Sequence, residues 1–350
     1  MAGQRLFAEA RPVLKVTSIS GDERVKVCIG LASRAQIEIM TRDQAGTEVT
    51  LAHAPAPVSP DSGVMAAKAA AENFPVALRL LPRRYRGRLM AVYRYARTVD
   101  DIGDEAPVAQ REGLLADLDE DLLRLYAGLG EPGLGEHRVP PAAASQPRHP
   151  AVRGLAGVVT ECRIPMQPFR DLIAANQQDQ VVTRYETFDD LLGYCVLSAN
   201  PVGQIVLYVF GCSTRERVQL SDAICSGLQI VEHLQDVAED YRAGRIYLPA
   251  ADMRAHGCTE QDLAGQTEPT RLRRLIAAEA DRAGALINAG APLVGQLRGA
   301  ARVAVAGYVA GARAALAAIA AADYDVLAAT PRPAKSLTVL ELVKALARGR

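Results

Sequence analysis

Four acidic side chains fall within six residues at the end of an apolar run, Tyr93-Arg94-Tyr95-Ala96-Arg97-Thr98-Val99-Asp100-Asp101-Ile102-Gly103-Asp104-Glu105. A helix through this stretch puts Asp100 and Asp104 one turn apart on one face, and Asp101 and Glu105 likewise. Like charges at that spacing repel, so the fold must offset them. A solvated helix end would suffice for one such cluster. The pattern recurs, however, at Asp236-Val237-Ala238-Glu239-Asp240, with Glu232 one turn upstream, in an otherwise apolar helical stretch from Leu228 to Val237. Carboxylates in such a setting are costly without cations. Mg²⁺ meets the requirement, because it takes oxygen ligands and leaves positions for waters or phosphates. Two acidic helix faces meeting across a cavity can hold several Mg²⁺ ions, with a diphosphate completing the coordination.

The 350 residues suffice for one large domain or two ordinary ones. The 40 basic and 40 acidic residues balance, which argues against a nucleic-acid partner, for that would want a basic stripe. Apolar residues make up 49%, and the abundance of Ala and Leu among them favours helix. The six cysteines (Cys28, Cys162, Cys195, Cys212, Cys225 and Cys258) show neither metal-ligand nor disulfide spacing and read as core thiols in a reducing compartment. No apolar run reads as long enough to span a bilayer, and the N-terminus lacks a signal-peptide core. The expectation is a cytoplasmic protein, soluble or peripheral on the inner membrane face.

Residues 1–64 read as a low-order extension: two stretches, from Val13 and from Val25, suit short strands or nothing stable, and Pro55, Pro57, Pro60 and Gly63 form a linker. Helical periodicity runs over 65–330, and 331–350 is a tail with a basic amphipathic segment from Ser336 to Arg350 that could lie on a membrane or pack on the bundle. Helices are expected over Met65–Asn73, Pro75–Leu81, Arg83–Val99, Gln110–Tyr126, Pro150–Cys162, Pro168–Val182, Phe188–Gly211, Gln219–Tyr241, Glu268–Gly290, Pro292–Gly299 and Val303–Ala322. Gly128-Leu129-Gly130-Glu131-Pro132-Gly133 matches GxGxxG formally but follows a helix rather than a strand, so it is no dinucleotide fingerprint. Pro201 should kink its helix, beside the small residues Ser198, Ala199 and Gly203, which suit close packing or a ligand wall alike. With no strand pattern beyond residue 65, the expected fold is all-α.

Taken together, these residues resemble the squalene/phytoene synthase family, the head-to-head branch of the trans-prenyltransferase fold, from about Ala66 to Arg332. The residues that carry the resemblance are Asp100 to Glu105 and Asp236 to Asp240, the latter followed by Arg245-Ile246-Tyr247-Leu248-Pro249. Glu72 to Ala77 and Ser198 to Gly203 look most like its bacterial hydroxysqualene synthase subgroup. The resemblance implies a single-domain isoprenoid-synthase helical bundle around a central cavity. It implies that Asp100, Asp104, Asp236 and Asp240 bind Mg²⁺, that Arg97 and Arg245 contact the diphosphate, and that Tyr93 and Tyr247 stand near the reacting carbons. It places Asn73 and Phe74 in a flap region, and Ser198, Ala199, Asn200, Val202, Gly203 and Glu232 on the cavity wall. Glu232 departs from the Asn frequent in the family, and His233 beside it is unusual; a lone histidine more often packs or hydrogen-bonds than ligates. Asn73, Asn200 and Glu232 are candidates for holding a water. The implied substrate is presqualene diphosphate, converted to hydroxysqualene, with peripheral membrane contact and other enzymes of the squalene pathway as partners. A presqualene diphosphate or phytoene synthase would use the same acids, and a catalytically silent scaffold or a generic metal hydrolase are the remaining alternatives.

Overall fold

In the computed structural model the described residues are 12–15, 28–31, 81–129, 146–265 and 270–348. They belong to two units, Met1–Pro60 and Asp61–Arg350. In the first, β1 (Pro12–Lys15) pairs antiparallel with β2 (Cys28–Leu31), Pro12 opposite Leu31 and Lys15 opposite Cys28. The expected helices upstream of Leu81, and most of the Gly/Pro loop over 128–150, lie outside the described residues.

The described part of the second unit is a helical array. Helix α1 (Arg83–Glu105) buries Leu89, Val92, Tyr95, Val99 and Gly103, a stripe at helical spacing. The stripe includes Tyr95 rather than Tyr93: the Tyr95 hydroxyl donates to the Phe169 carbonyl at 3.0 Å, which lets that ring go under the surface. After α2 (Val108–Gly128), the expected single helix from Pro150 is two short ones, α3 (Pro150–Arg153) and α4 (Ala156–Cys162). The turn at Gly154 between them buries Leu155 completely. Helix α5 (Gln167–Gln178) leads to α6 (Phe188–Ser198), which starts on a capping box between Thr187 and Asp190. Pro201 enters the first turn of α7 (Asn200–Val209), so the expected long helix breaks at Ala199. The next long helix also breaks, at Asp236, into α8 (Arg215–Gln235) and α9 (Val237–Arg242). Short α10 (Ala250–Ala255) and α11 (Glu260–Leu263) precede α12 (Thr270–Gly290), α13 (Leu293–Gln296), α14 (Gly299–Ala321) and α15 (Lys335–Arg348).

Two hydrophobic clusters hold the array. One joins the inner faces of α8, α12 and α14. The other joins α1, α2, α5 and α7. Each fully buried Leu or Ile, such as Leu272, Leu275 and Ile276 on α12, contributes about 1.5–3 kcal/mol. Contrary to the expectation from sequence, two stretches, Phe188–Val209 and Gly299–Ala321, are long and apolar enough to cross a membrane by length and composition. Half of each window is buried inside the protein, where both stretches feed the clusters, and the first is two helices rather than one. Helix α15 turns Leu342, Ala345 and Leu346 onto the first cluster and leaves Val339, Leu340 and Val343 exposed.

Glu279 on α12 is 1% exposed, with one oxygen 3.3 Å from Arg282. Burial pushes its carboxyl up to about 7, and as an acid it can donate to Asp252. A carboxyl raised on folding stabilises the fold while protonated, and that contribution fades as pH climbs from its unfolded value through 7. Glu279→Gln is therefore expected to raise stability by about 1–3 kcal/mol at pH 8 and to change little near pH 4.5, read by thermal melts at both pH values. Equal shifts at the two pH values would show that the charge is not what matters there.

Candidate active site

Helix α1 ends in acids, where the helix dipole already places negative charge. Three arginines offset this. The Arg97 guanidinium sits 2.7 Å from Asp101 and 3.2 Å from Glu105 on its own helix. Arg111 donates to the terminal carbonyls of Asp104 and Ala106, each at 2.8 Å. Arg245 reaches over from the far motif to Asp104 at 2.8 Å. The Asp100 side chain accepts a hydrogen bond from Asn176 on α5 at 3.2 Å. Gly103 makes room for that asparagine, since a Cβ there would fall 2.0 Å from the Asn176 side-chain oxygen.

Asp236 lies at the break between α8 and α9 with φ −108° and ψ 12°. Its carbonyl caps the turn, accepting from Asp240 N at 2.8 Å, while its carboxylate makes no cap bond. The segment beyond it is pinned alongside the one after α5: Ile246 N donates to the Thr183 carbonyl at 3.0 Å, and Ala250 N to that of Tyr185 at 2.9 Å. That pairing sets Arg245 and Tyr247 at the acids.

These elements enclose a cavity of 280 Å³. Asp100 and Asp104 of α1 line it together with Asp236 and Asp240, so the two acid motifs do share one space. Arg245, Tyr247, Ser198 and Glu232 also line it, as the sequence reading expects. Asn176, Asp179, Tyr194, Gln229 and His233 complete its polar surface. The lining formed by the described residues does not include Arg97 or the half-buried Tyr93. Nor does it include Ala199, Asn200, Val202 or Gly203, which serve helix packing. The Asn200 side-chain oxygen accepts from Ser226 at 2.9 Å, and a Cβ on Gly203 would meet Ser221 at 2.4 Å and Cys225 at 2.5 Å. Val202 packs on the second cluster. Asn73 and Phe74 lie outside the described residues.

The electrostatics are those of crowded, under-compensated acids. Asp100 is exposed at its surface, yet the protein crowded around it, with Asp104 and Asp101 nearby, pushes its carboxyl up to about 6 against the pull of Asn176 and Arg97. Asp236 is raised by burial and then by Asp240 and Glu239. Arg245 Nε is buried and has no hydrogen-bond partner among the described residues. No three acidic, histidine or cysteine side chains among the described residues gather tightly enough to cage a metal by themselves. Mg²⁺ characteristically binds through one or two carboxylates plus substrate phosphates, so paired acids on facing walls, with an unsatisfied guanidinium donor between, fit Mg²⁺ held jointly with a diphosphate.

Sequence reasoning passed over Asp179 and Tyr194. Tyr194 was detectable, being one turn before Ser198 on the same face. Asp179 gave a weaker signal, an acid at the C-terminal end of a helix, where the dipole disfavours it. His233, weighed as a packing residue, stacks on the Tyr247 ring at 3.7 Å with Nδ1 3.8 Å from Asp240.

Known proteins resemble this chain in sequence and in fold. A squalene/phytoene synthase family model matches residues 67–338. The chain is 37% identical over 223 residues to the hydroxysqualene synthase of Rhodopseudomonas palustris, covering 63% of this chain and 70% of that one. It is 30% identical to the 15-cis-phytoene synthase of Synechococcus elongatus, covering 61% and 68%. Among solved structures, the squalene synthase HpnC of Alicyclobacillus acidocaldarius superimposes with a TM-score of 0.65 at 37% identity, covering 75% of this chain and 94% of that one. The chain belongs to the squalene/phytoene synthase family. It has the all-α isoprenoid-synthase fold and is an enzyme, a synthase that uses prenyl diphosphates.

Proposed function

We propose that the chain is a Mg²⁺-dependent hydroxysqualene synthase that ionises presqualene diphosphate and captures the rearranged cation with water. The observation that carries the ionisation is the meeting of both acid motifs and Arg245 in one cavity with an aromatic wall. The choice within the family is supported by the 37% identity to a hydroxysqualene synthase, against 30% to a phytoene synthase.

Asp100, Asp104, Asp236 and Asp240 would hold the metal. When bound, Mg²⁺ supplies positive charge that favours departure of the diphosphate. Arg245 donates to the leaving oxygens, where charge grows as the carbon–oxygen bond breaks and its electron pair goes with the diphosphate. Tyr194 offers a π face to the cyclopropylcarbinyl cation, and Tyr247, whose ring stacks with His233, extends the aromatic wall beside it. A water then forms the new carbon–oxygen bond, and its proton passes to the released diphosphate or to Glu232. Of the two water-holding candidates among the described residues, Asn200 and Glu232, it is Glu232 that lines the cavity, and Ser198 joins it there with a hydroxyl that has no partner among the described residues.

Purified protein given presqualene diphosphate and Mg²⁺ in ¹⁸O-water without NADPH is expected to release diphosphate and form labelled hydroxysqualene. Squalene formed only with NADPH, or presqualene diphosphate or phytoene accumulating from shorter prenyl diphosphates, would move the chain to a sister activity.

A further inference from the structure

We propose that Asp179 is the positioning residue of the aromatic wall: its two carboxylate oxygens hold the phenols of Tyr194 and Tyr247, fix both rings beside the cavity and keep them electron-rich. The inference rests on the carbocation chemistry proposed above.

The Tyr194 hydroxyl donates to one Asp179 oxygen at 2.6 Å, and the Tyr247 hydroxyl donates to the other at 3.2 Å. The two rings lie 5.6 Å apart, and Tyr185 packs on both, at 5.6 Å and 5.7 Å. His233 of α8, which also lines the cavity, stacks on the Tyr247 ring. One carboxylate thus organises an aromatic group drawn from α6 and from the strand-like segment after α9. The position is unfavourable for α5 itself: Asp179 caps its C-terminus, where an anion opposes the dipole, and no basic residue stands in the last turn. Burial is the main force raising the Asp179 carboxyl, and the two phenols with Arg245 oppose it. Burial also raises both tyrosines, so they stay neutral phenols. A contact of 2.6 Å is that of a charge-assisted bond from a neutral phenol to a carboxylate. Sharing its proton this way enriches the phenol ring, and an enriched π face attracts a cation more strongly.

A substitution cycle tests this. Asp179→Asn keeps the shape but is neutral and cannot accept with both of its terminal atoms. It is expected to lower kcat for diphosphate release roughly 30-fold, as loss of a desolvated cation–π contact would, with KM within about threefold of wild type. Tyr194→Phe is expected to lose rate as well, and the double variant Asp179→Asn/Tyr194→Phe to be no slower than Asp179→Asn alone. Asp179→Glu keeps both acceptor oxygens and is expected to recover most of the rate lost in Asp179→Asn. Multiplying effects in the double variant, a loss borne by KM alone, or an Asp179→Glu as slow as Asp179→Asn would each overturn the inference. The cycle is read on whichever prenyl diphosphate the wild type turns over. A wild type that condenses farnesyl diphosphate without consuming presqualene diphosphate would sink the functional reading, while the cycle still decides the role of Asp179.

Discussion

Asp236→Asn is expected to lower turnover on the order of 10³-fold while leaving the fold intact, and Asp100→Asn, Asp104→Asn and Asp240→Asn to do the same, since each removes charge that opposes the developing transition-state charge only through a bound cation. Stability should hold or rise. Asp236 is raised by burial and by Asp240 and Glu239, and Asp100 by burial and by its neighbours, so a neutral amide relieves repulsion. Asp104 differs, because Asn there also releases Arg245 from its 2.8 Å contact. The rates should be measured as diphosphate release across a Mg²⁺ titration, with a thermal melt of each variant. A pH dependence accompanies them. Asp100 in the ligand-free protein holds its proton below about 6, so Mg²⁺ must displace that proton, and the Mg²⁺ needed for half-maximal rate should climb as pH falls through that value. Any of the four that keeps near wild-type rate at saturating Mg²⁺ is not a ligand.

The acid motifs were legible in the sequence because their spacing is local: one helical turn separates Asp100 from Asp104 and Asp236 from Asp240, and periodicity alone aligns them. That the two faces share a cavity followed from the cost of leaving both uncompensated. What stayed hidden depends on contacts distant in sequence. The Arg245–Tyr247 segment is placed by backbone bonds to Thr183 and Tyr185, and no local pattern announces them. For the same reason the tyrosine bracket on Asp179 escaped notice. The Ser198–Gly203 stretch shows the limit from the other side. Small residues beside a proline suit a ligand wall and a helix contact equally, and only the packing of α7 on α8 assigns Asn200 and Gly203 to the contact and Ser198 to the wall. The breaks at Gly154 and Asp236 are likewise matters of tertiary burial and capping, which propensity does not see.

Arg245→Gln is expected to cost roughly 10²–10³-fold in kcat for diphosphate release, the range for loss of one preorganised donor at a developing anion. The segment that carries Arg245 is held by backbone bonds on either side, from Gly244 N to Tyr241 and from Ile246 N to Thr183, each at 3.0 Å, so the loop should survive loss of the side chain. Its Nη1 holds Asp104, and its Nε is a buried donor with no partner among the described residues. A diphosphate oxygen would satisfy that donor, and the bond strengthens as the leaving group gathers charge, so the loss should fall on kcat more than on KM. Arg245→Lys keeps the charge but not the planar fork, and should recover only part of the rate. Arg97 supplies the comparison. Its guanidinium is already engaged by Asp101 and Glu105 on its own helix and does not line the cavity formed by the described residues. Arg97→Gln should therefore cost distinctly less. Equal losses for the two arginines would mean that Arg97 leaves its helix partners for the diphosphate when substrate binds. An Arg245→Gln variant with unchanged kcat and a raised KM would confine Arg245 to ground-state binding.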